Sequence, residues 1–430
     1  MEETQIFPDR TQAPHAQEIG HMALIEPAFK QLDNGVPLWL VDAGEQDLVR
    51  VECVFQHVNW DSSRPLQATA VLAQLNEGTK THTAEQIAEH LDYYGAFLQT
   101  DFTFDQSVIA LYTLNKHLAR VLPVFMNLLQ LPVFPDRELE TYRRNQKQKL
   151  RVSQEKNEFL ARKKFNKILF GENLYGHETA PEDFDTLDRA QLLAYHAASF
   201  QPRNVQVIIA GKITPEVNEL ISQAFSAWQN SEAPAQKNHF HFDALHGAFE
   251  QTGKKDALQS AIRMGKRMVN RVHADFAGLQ VLNTILGGYF GSRLMANIRE
   301  EKGYTYGIGS GLVSLQQAGY FFIASEVGAD VCADAISEIR KEINTLREHL
   351  VPDEELHRVR NYMLGSFLGS LENAFSHADK FKNIHFSGLD YSYYTRYIET
   401  VRHITPKELL HLAQRYLDPE EMVTVVAGKY

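Results

Sequence analysis

Alternating apolar and polar residues mark the strands of this chain. Residues 48–55, LVRVECVF, place apolar side chains on one face and Arg50 and Glu52 on the other. This alternation predicts a strand with one buried and one solvent-facing side. The Asn34-Gly35 dipeptide between apolar flanks predicts a hairpin just before that strand.

Helical patterns fill most of the intervals between the predicted strands. Residues 66–75, LQATAVLAQL, predict a helix of small and aliphatic side chains. Thr83, with Gln86 three residues later, predicts a capping box at the start of the next helix, which Gly95 ends. Two strands within 97–114, helices within 116–170 and 187–199, and a buried strand at 204–213 complete the first half.

The second half of the chain repeats the first. NVQVIIAGKI at 204–213 recurs as MVTVVAGKY at 422–430, and Gly211 and Gly428 are 217 positions apart (428 − 211 = 217). Solenoid repeats have periods of about 20–50 residues, so this offset instead indicates a whole duplicated domain. Strands followed by runs of helices favour an α+β class over alternating βαβ units.

Four segments follow from this duplication. The interval at 229–245 is rich in Pro, Ser, Asn and Ala, has no apolar period, and is interpreted as a linker. His239 and His241 flank Phe240 there; alternation in a strand explains them, and a metal site is the alternative. The predicted segments are a lead-in (1–24), an N-terminal domain (25–228), the linker (229–245) and a C-terminal domain (246–430).

Composition narrows the class of protein. The 430 residues include 43 Lys and Arg against 54 Asp and Glu, a net charge of −11, which disfavours nucleic acid as a partner. The basic stretch at 143–151 is interpreted as a solvated helix face. No apolar run is long enough to span a membrane, and no signal peptide is visible. Cys53 and Cys332 are the two cysteines, so the expectation is a cytoplasmic protein without a disulfide framework.

Several motifs together resemble the M16 metallopeptidase family (pitrilysin, insulinase and mitochondrial processing peptidase). They are EGTKTHTAEQIAEHLDYYGA at 77–96, LFGENLYG at 169–176, QSAIRMG at 259–265 and GGYFGSRLMANIREEKGYTYGIGSG at 287–311. The resemblance covers essentially residues 25–430. It implies two homologous M16-like (LuxS/MPP-like) domains in a clamshell arrangement, each a mostly antiparallel sheet packed with helices.

Active members of that family carry an inverted zinc motif, H-x-x-E-H, before a glycine-threonine turn. Counting back from Gly78 and Thr79, its three functional positions are Thr69, Leu72 and Ala73 here. The further glutamate ligand on a later helix is missing too, because residues 141–154 contain no acid and offer Gln146 and Gln148 instead. We therefore expect neither a metal nor a catalytic residue in this chain.

Other histidine–glutamate spacings do not replace that motif. His15, Glu18 and His21 lie in a polar N-terminal segment and are interpreted as a chance spacing. Glu89 and His90 resemble the end of an inverted motif, but the position of its first histidine is occupied by Gln86 here.

The second half retains a different family feature. Arg299 and Tyr306 stand at the spacing of a family Arg–Tyr pair, which the resemblance implies holds the substrate backbone near the scissile carbonyl. The alternative is a surface ion pair of Arg299 with Glu300 or Glu301, beside a buried tyrosine. A glycine-rich turn precedes the pair and would allow an extended peptide to approach; a helix-ending turn is the alternative. Its glycines are Gly287, Gly288 and Gly291.

This combination resembles the zinc-less subunit of two-subunit M16 peptidases. The resemblance predicts a non-catalytic subunit that binds unfolded peptide and completes the active site of a homologous, zinc-bearing partner, with the zinc held by that partner. Two alternatives stay open: a structural, scaffold-type M16-like protein, and a homodimer that binds peptides without cutting them.

Overall fold

A computed structural model describes residues 11, 19–20, 22–230, 232–245, 247–253 and 256–430. Most of the predicted lead-in and the His15–Glu18–His21 spacing lie outside these residues. The strands are β1 (Ala28–Gln31), β2 (Pro37–Asp42), β3 (Leu48–Gln56), β4 (Phe97–Phe102), β5 (Gln106–Leu114), β6 (Val205–Gly211), β7 (Ala248–Thr252), β8 (Gln259–Met268), β9 (Thr305–Ser314), β10 (Gly319–Gly328) and β11 (Val423–Ala427).

The helices predicted at 66–75, after Thr83, within 116–170 and at 187–199 are present, whereas the helix Pro215–Ser226 was not predicted. The Thr83–Gln86 capping box is present at the start of α2. Within the described residues, no helix is long and apolar enough to cross a membrane. The helices are α1 (Gln67–Gln74), α2 (Ala84–Tyr93), α3 (Leu118–Gln130), α4 (Asp136–Gln154), α5 (Asn157–Phe170), α6 (Arg189–Ser199), α7 (Pro215–Ser226), α8 (Phe276–Asn283), α9 (Cys332–Glu348), α10 (Asp353–Gly369), α11 (Ala374–His385), α12 (Ser392–His403) and α13 (Pro406–Tyr416).

The five strands of the second sheet repeat the topology of five strands of the first, which has β1 as an additional edge strand. The first has the order β1-β2-β6-β3-β5-β4 and the second β7-β11-β8-β10-β9. In each sheet one pair is parallel, β2 with β6 and β7 with β11, while the other pairs are antiparallel. Helix α4 begins 217 residues before α10 (353 − 136 = 217), and the same offset relates α6 to α13. The predicted α+β class, with two duplicated units of mostly antiparallel sheet, is confirmed.

One face of each sheet packs on helices from its own half of the chain. In the first half, buried residues of α1, α3, α6 and α7 join odd-numbered positions of β3 and β6, such as Cys53 and Ile209. In the second half, buried residues of α8, α9, α10 and α13 join Ile262, Met264 and Ile323. Each half therefore buries an apolar core between its sheet and its own helices.

The other face of each sheet packs on a helix from the opposite half. Helix α5 covers the second sheet, where Phe165 and Leu169 join Val423 and Val425 in one buried cluster. Helix α11 covers the first sheet, and its Ala378 belongs to a separate buried apolar cluster there. These two helices are equivalents in the duplication, since they also begin 217 residues apart (374 − 157 = 217). The halves thus exchange equivalent helices.

This exchange corrects the prediction that one side of β3 faces solvent. Arg50 and Glu52 are 5% and 1% exposed, because α11 lies over that face. Arg50 Nη2 lies 3.1 Å from Glu52 Oε2 and 2.9 Å from Asp379 Oδ1, and Lys382 pairs with Glu52. We call these four residues the interdomain ion cluster. Polar alternation here reflects charges paired across the two halves, which a single strand cannot reveal.

The linker histidines do not lie on a strand, so the strand explanation for their spacing is wrong. Residues 238–245 are irregular, and both His239 and His241 are exposed. The alternation arises because Phe240 and Phe242 insert between the halves, with the Phe240 ring 4.4 Å from the Tyr175 ring. The segment boundaries predicted from the sequence stay predictions.

Both cysteines are buried free thiols, so their reactivity tests the packing around them. Burial raises the pKa of Cys332 to about 11 and also raises that of Cys53. The reactive thiolate is therefore scarce at neutral pH in the folded chain. We expect Ellman's reagent to titrate no thiol within minutes in the native protein and both thiols in denaturant; rapid native reaction of either cysteine would contradict this burial.

Candidate substrate-contact site

The positions of the inverted zinc motif lie on α1, against the first sheet. Leu72 is 4% exposed and belongs to the first core, while Thr69 is half-buried and Ala73 faces solvent. Zinc in proteins is bound by thiolate, imidazole and carboxylate groups, and these three side chains provide none of them. The residues at the motif positions do not fit the metal.

The later helix does not compensate. On α4, Gln146 is half-buried and Gln148 is exposed, and neither amide carries a charge. In the part of the chain that the structure describes, no group of three His, Cys, Asp or Glu side chains could hold a metal ion. Chemistry that depends on a metal in this chain has no ligand set among those residues.

The structure brings Arg299 and Tyr306 together at the edge of the second sheet. The Arg299 guanidinium carbon lies 5.5 Å from the centre of the Tyr306 ring. Tyr306 is 92% exposed, on edge strand β9. Arg299 belongs to a π-helical segment, Met295–Glu301, that packs on β9; such wide turns are frequent at functional sites.

A β-bulge sets the direction of Tyr306. Ser325 pairs with Ile308 but Val327 pairs with Thr305, so Tyr306 and Gly307 together oppose a single residue of β10. The Thr305 hydroxyl donates to the Gly307 carbonyl at 2.9 Å, and the Ser325 hydroxyl donates to the same carbonyl at 3.0 Å. Bulges redirect side chains at sheet edges, and this one is held by hydroxyl groups on both strands.

The alternative interpretation of the pair, an ion-paired arginine beside a core tyrosine, is not what the structure has. Among the described residues, no hydrogen bond or ion pair involves the Arg299 side chain; Glu301 lies 3.6 Å from Lys302 instead. Tyr304, the neighbouring tyrosine, packs against the second core. The guanidinium donors of Arg299 and the phenol of Tyr306 are thus available to a ligand.

The three glycines have different roles. A Cβ on Gly287 would lie 2.6 Å from Ser310 Oγ, so this glycine allows α8 and its continuation, Thr284–Gly288, to pack tightly on β9. The close approach at Gly287 is therefore internal to the chain. Gly288 and Gly291 are exposed beside Arg299's segment.

Phe290 also lies at this site, although the sequence did not predict it there. Its ring centre lies 4.8 Å from the Arg299 guanidinium carbon, and the residue is 65% exposed. Phe290 stands inside the quoted motif GGYFGSRL, and the glycines on both sides of Tyr289 and Phe290 were the available signal. Those glycines indicate a turn, but they do not show which of the two aromatic residues is exposed.

Comparison with known proteins agrees with the family that the motifs suggested. Residues 186–363 match the model of the "Peptidase M16 inactive domain". The uncharacterized zinc protease YmxG of Bacillus subtilis is 23% identical over 69% of this chain and 72% of its own length. The "non-peptidase homolog YmxG" of Helicobacter pylori is 21% identical over 82% of each chain.

A solved structure extends the agreement to the fold. The crystal structure of a peptidase M16 inactive domain from Pseudomonas fluorescens superposes with a TM-score of 0.84 at 22% identity, covering 94% of this chain and 98% of that one. The comparisons confirm that the chain resembles the M16 peptidase family; some of the matching proteins are named inactive or non-peptidase, and others are named zinc proteases.

Proposed function

We propose that this chain is the non-catalytic, peptide-binding subunit of an M16-type zinc metallopeptidase. The observation that carries the proposal is the contact between exposed Tyr306 and half-buried Arg299, whose side chain has no ion-pair partner among the described residues, in a chain whose zinc-motif positions are Thr69, Leu72 and Ala73. A homologous partner chain supplies the zinc. This chain supplies donors that hold the substrate, and it needs neither a catalytic residue nor a cofactor of its own.

The chemistry of the pair suits an unfolded peptide. A guanidinium fork and a phenol hydroxyl donate hydrogen bonds to carbonyl oxygens, and they stabilise negative charge that develops there. The exposed Gly288 and Gly291 have no side chains to keep a backbone at a distance. We further propose the cytoplasm as its compartment, which two buried free thiols favour.

Replacement of Arg299 by alanine tests the proposed role. In a mixture of this chain with a zinc-bearing M16 homologue from the same genome, we expect Arg299→Ala to lower kcat/KM for an unstructured fluorogenic peptide about tenfold, since hydrogen bonds to charged donors contribute about 1.5–3 kcal/mol. Arg299→Lys, which keeps the charge and loses the fork, should restore only part of the activity. The chain alone should be inactive.

The same assay distinguishes the alternatives. Full peptidase activity of the isolated chain with stoichiometric zinc would refute the non-catalytic assignment. A stable complex that neither binds nor cleaves peptide and ignores Arg299→Ala would indicate a scaffold protein. Self-association with peptide binding but no cleavage in any mixture would indicate the homodimer.

A further inference from the structure

A tight turn presents Phe290 to the outside of the molecule. The Ser292 amide donates to the Tyr289 carbonyl at 3.1 Å, so Phe290 and Gly291 are the two central residues of a four-residue turn. Tyr289 points inward, with its ring 4.8 Å from the Tyr362 ring. A Cβ on Gly291 would lie 2.9 Å from the Tyr289 ring, so the glycine allows that ring to fold back. Phe290 is left on the open side.

Arg299 lies between two aromatic rings that come from different elements. Its guanidinium carbon is 4.8 Å from the Phe290 ring centre and 5.5 Å from the Tyr306 ring centre. Contacts of this kind restrain the long arginine side chain before a ligand binds, so less side-chain entropy is lost on binding. A guanidinium held against ring faces keeps its N–H groups directed outward, in its own plane.

The surroundings favour a neutral carbonyl over a carboxylate as the group that Arg299 binds. Three exposed glutamates lie beside the site: Glu300 and Glu301 follow Arg299, and Glu326 opposes Tyr306 across the bulge. Glu301 pairs with Lys302, and the negative charges of the other two glutamates disfavour an anionic ligand. The exposed ring of Phe290, in turn, offers apolar surface that an apolar side chain of the ligand would cover.

Resting on the peptide-binding function proposed above, we propose that Phe290 is a specificity-determining residue of the site. An extended peptide places one backbone carbonyl on Arg299, and a bulky apolar side chain near that carbonyl packs on the Phe290 ring. The chain would therefore select apolar over small polar residues at that position of the peptide.

Paired peptides test this selection. Two fluorescein-labelled peptides share a Gly, Ser and Asn background; one carries a single phenylalanine and the other a serine in its place. By fluorescence anisotropy with the full chain, alone and with its zinc-bearing partner, we expect about tenfold tighter binding of the phenylalanine peptide. Phe290→Ala should bind both peptides equally weakly, and Phe290→Tyr should keep the preference.

A matched control comes from the opposite edge of the same sheet. Phe249 on β7 is 47% exposed and contacts the Tyr430 ring at 4.6 Å, and Phe249→Ala should bind like the wild type. An undiminished preference in Phe290→Ala, with tight binding retained, would overturn the role of Phe290 and leave the peptide-binding function standing. Failure of the wild type to bind either peptide, alone or in complex, would refute that function itself.

Discussion

Glu52→Gln is expected to destabilise the folded chain by about 3–5 kcal/mol, the usual result of removing one partner from a buried ion pair. Glu52 is 1% exposed and contacts both cations of the interdomain ion cluster, Arg50 and Lys382. Without its charge, the acid that these two cations share within the described residues is Asp379, whose side chain is 49% exposed. Urea unfolding followed by circular dichroism would measure the change in the free energy of unfolding.

Two variants separate charge pairing from packing. Asp379→Asn removes the exposed acid of the same cluster, so its effect should be no more than about 1 kcal/mol. Replacing Arg50, Glu52 and Lys382 together by methionine should recover most of the stability that Glu52→Gln loses, since apolar replacement of a whole buried cluster is often neutral. Equal losses for Glu52→Gln and Asp379→Asn would contradict the buried character of the cluster.

Acidification from pH 7 to pH 4 is expected to weaken the fold through His196. Burial lowers the pKa of His196 to about 4, although its Nε2–H donates to the Leu129 carbonyl at 3.0 Å. An unfolded histidine binds its proton near pH 6.5, so the unfolded state binds more protons between these two values. The contribution of neutral His196 to the free energy of unfolding is complete above about pH 6.5. It falls by about 3 kcal/mol toward pH 4 and does not change further at lower pH.

His196→Gln isolates this contribution, because glutamine offers an N–H donor but does not titrate. The difference between its free energies of unfolding at pH 7 and pH 4 should be about 3 kcal/mol smaller than in the wild type. His239→Gln, in the exposed linker, is the matched control and should keep the wild-type difference. His57, whose pKa burial lowers to about 4, should add its own acid sensitivity in both variants. An unchanged pH dependence in His196→Gln would contradict this account.

Local chemistry in the sequence was sufficient to predict most elements. The Asn34-Gly35 hairpin, the Thr83 capping box and the buried strand β6 each depend on neighbours in the chain, and each is present. The 217-residue offset likewise predicted the duplication, because the same pattern of residues must build the same topology twice.

Contacts between distant segments could not be predicted in the same way. The charges on β3 were predicted to face solvent, because no residue near Arg50 or Glu52 in the sequence indicates their ion pairs with Asp379 and Lys382. At the candidate site, the spacing of Arg299 and Tyr306 is a sequence property, but the bulge that exposes Tyr306 depends on β10. Phe290 was missed for the same reason: its exposure depends on a turn that packs only Tyr289 inward.

The exchanged helices have a consequence for how this protein is made. During synthesis the first half leaves the ribosome before α11 exists, so the apolar face around Val54, Val108 and Ile208 has no cover until residues 374–385 follow. The apolar face of helix α5 is likewise uncovered until the second sheet has been translated. Contacts so distant in sequence form late, and uncovered apolar surface invites aggregation meanwhile. We therefore expect chaperones to bind the first half during synthesis. The native state forms only after the last helices and the last strand have been translated.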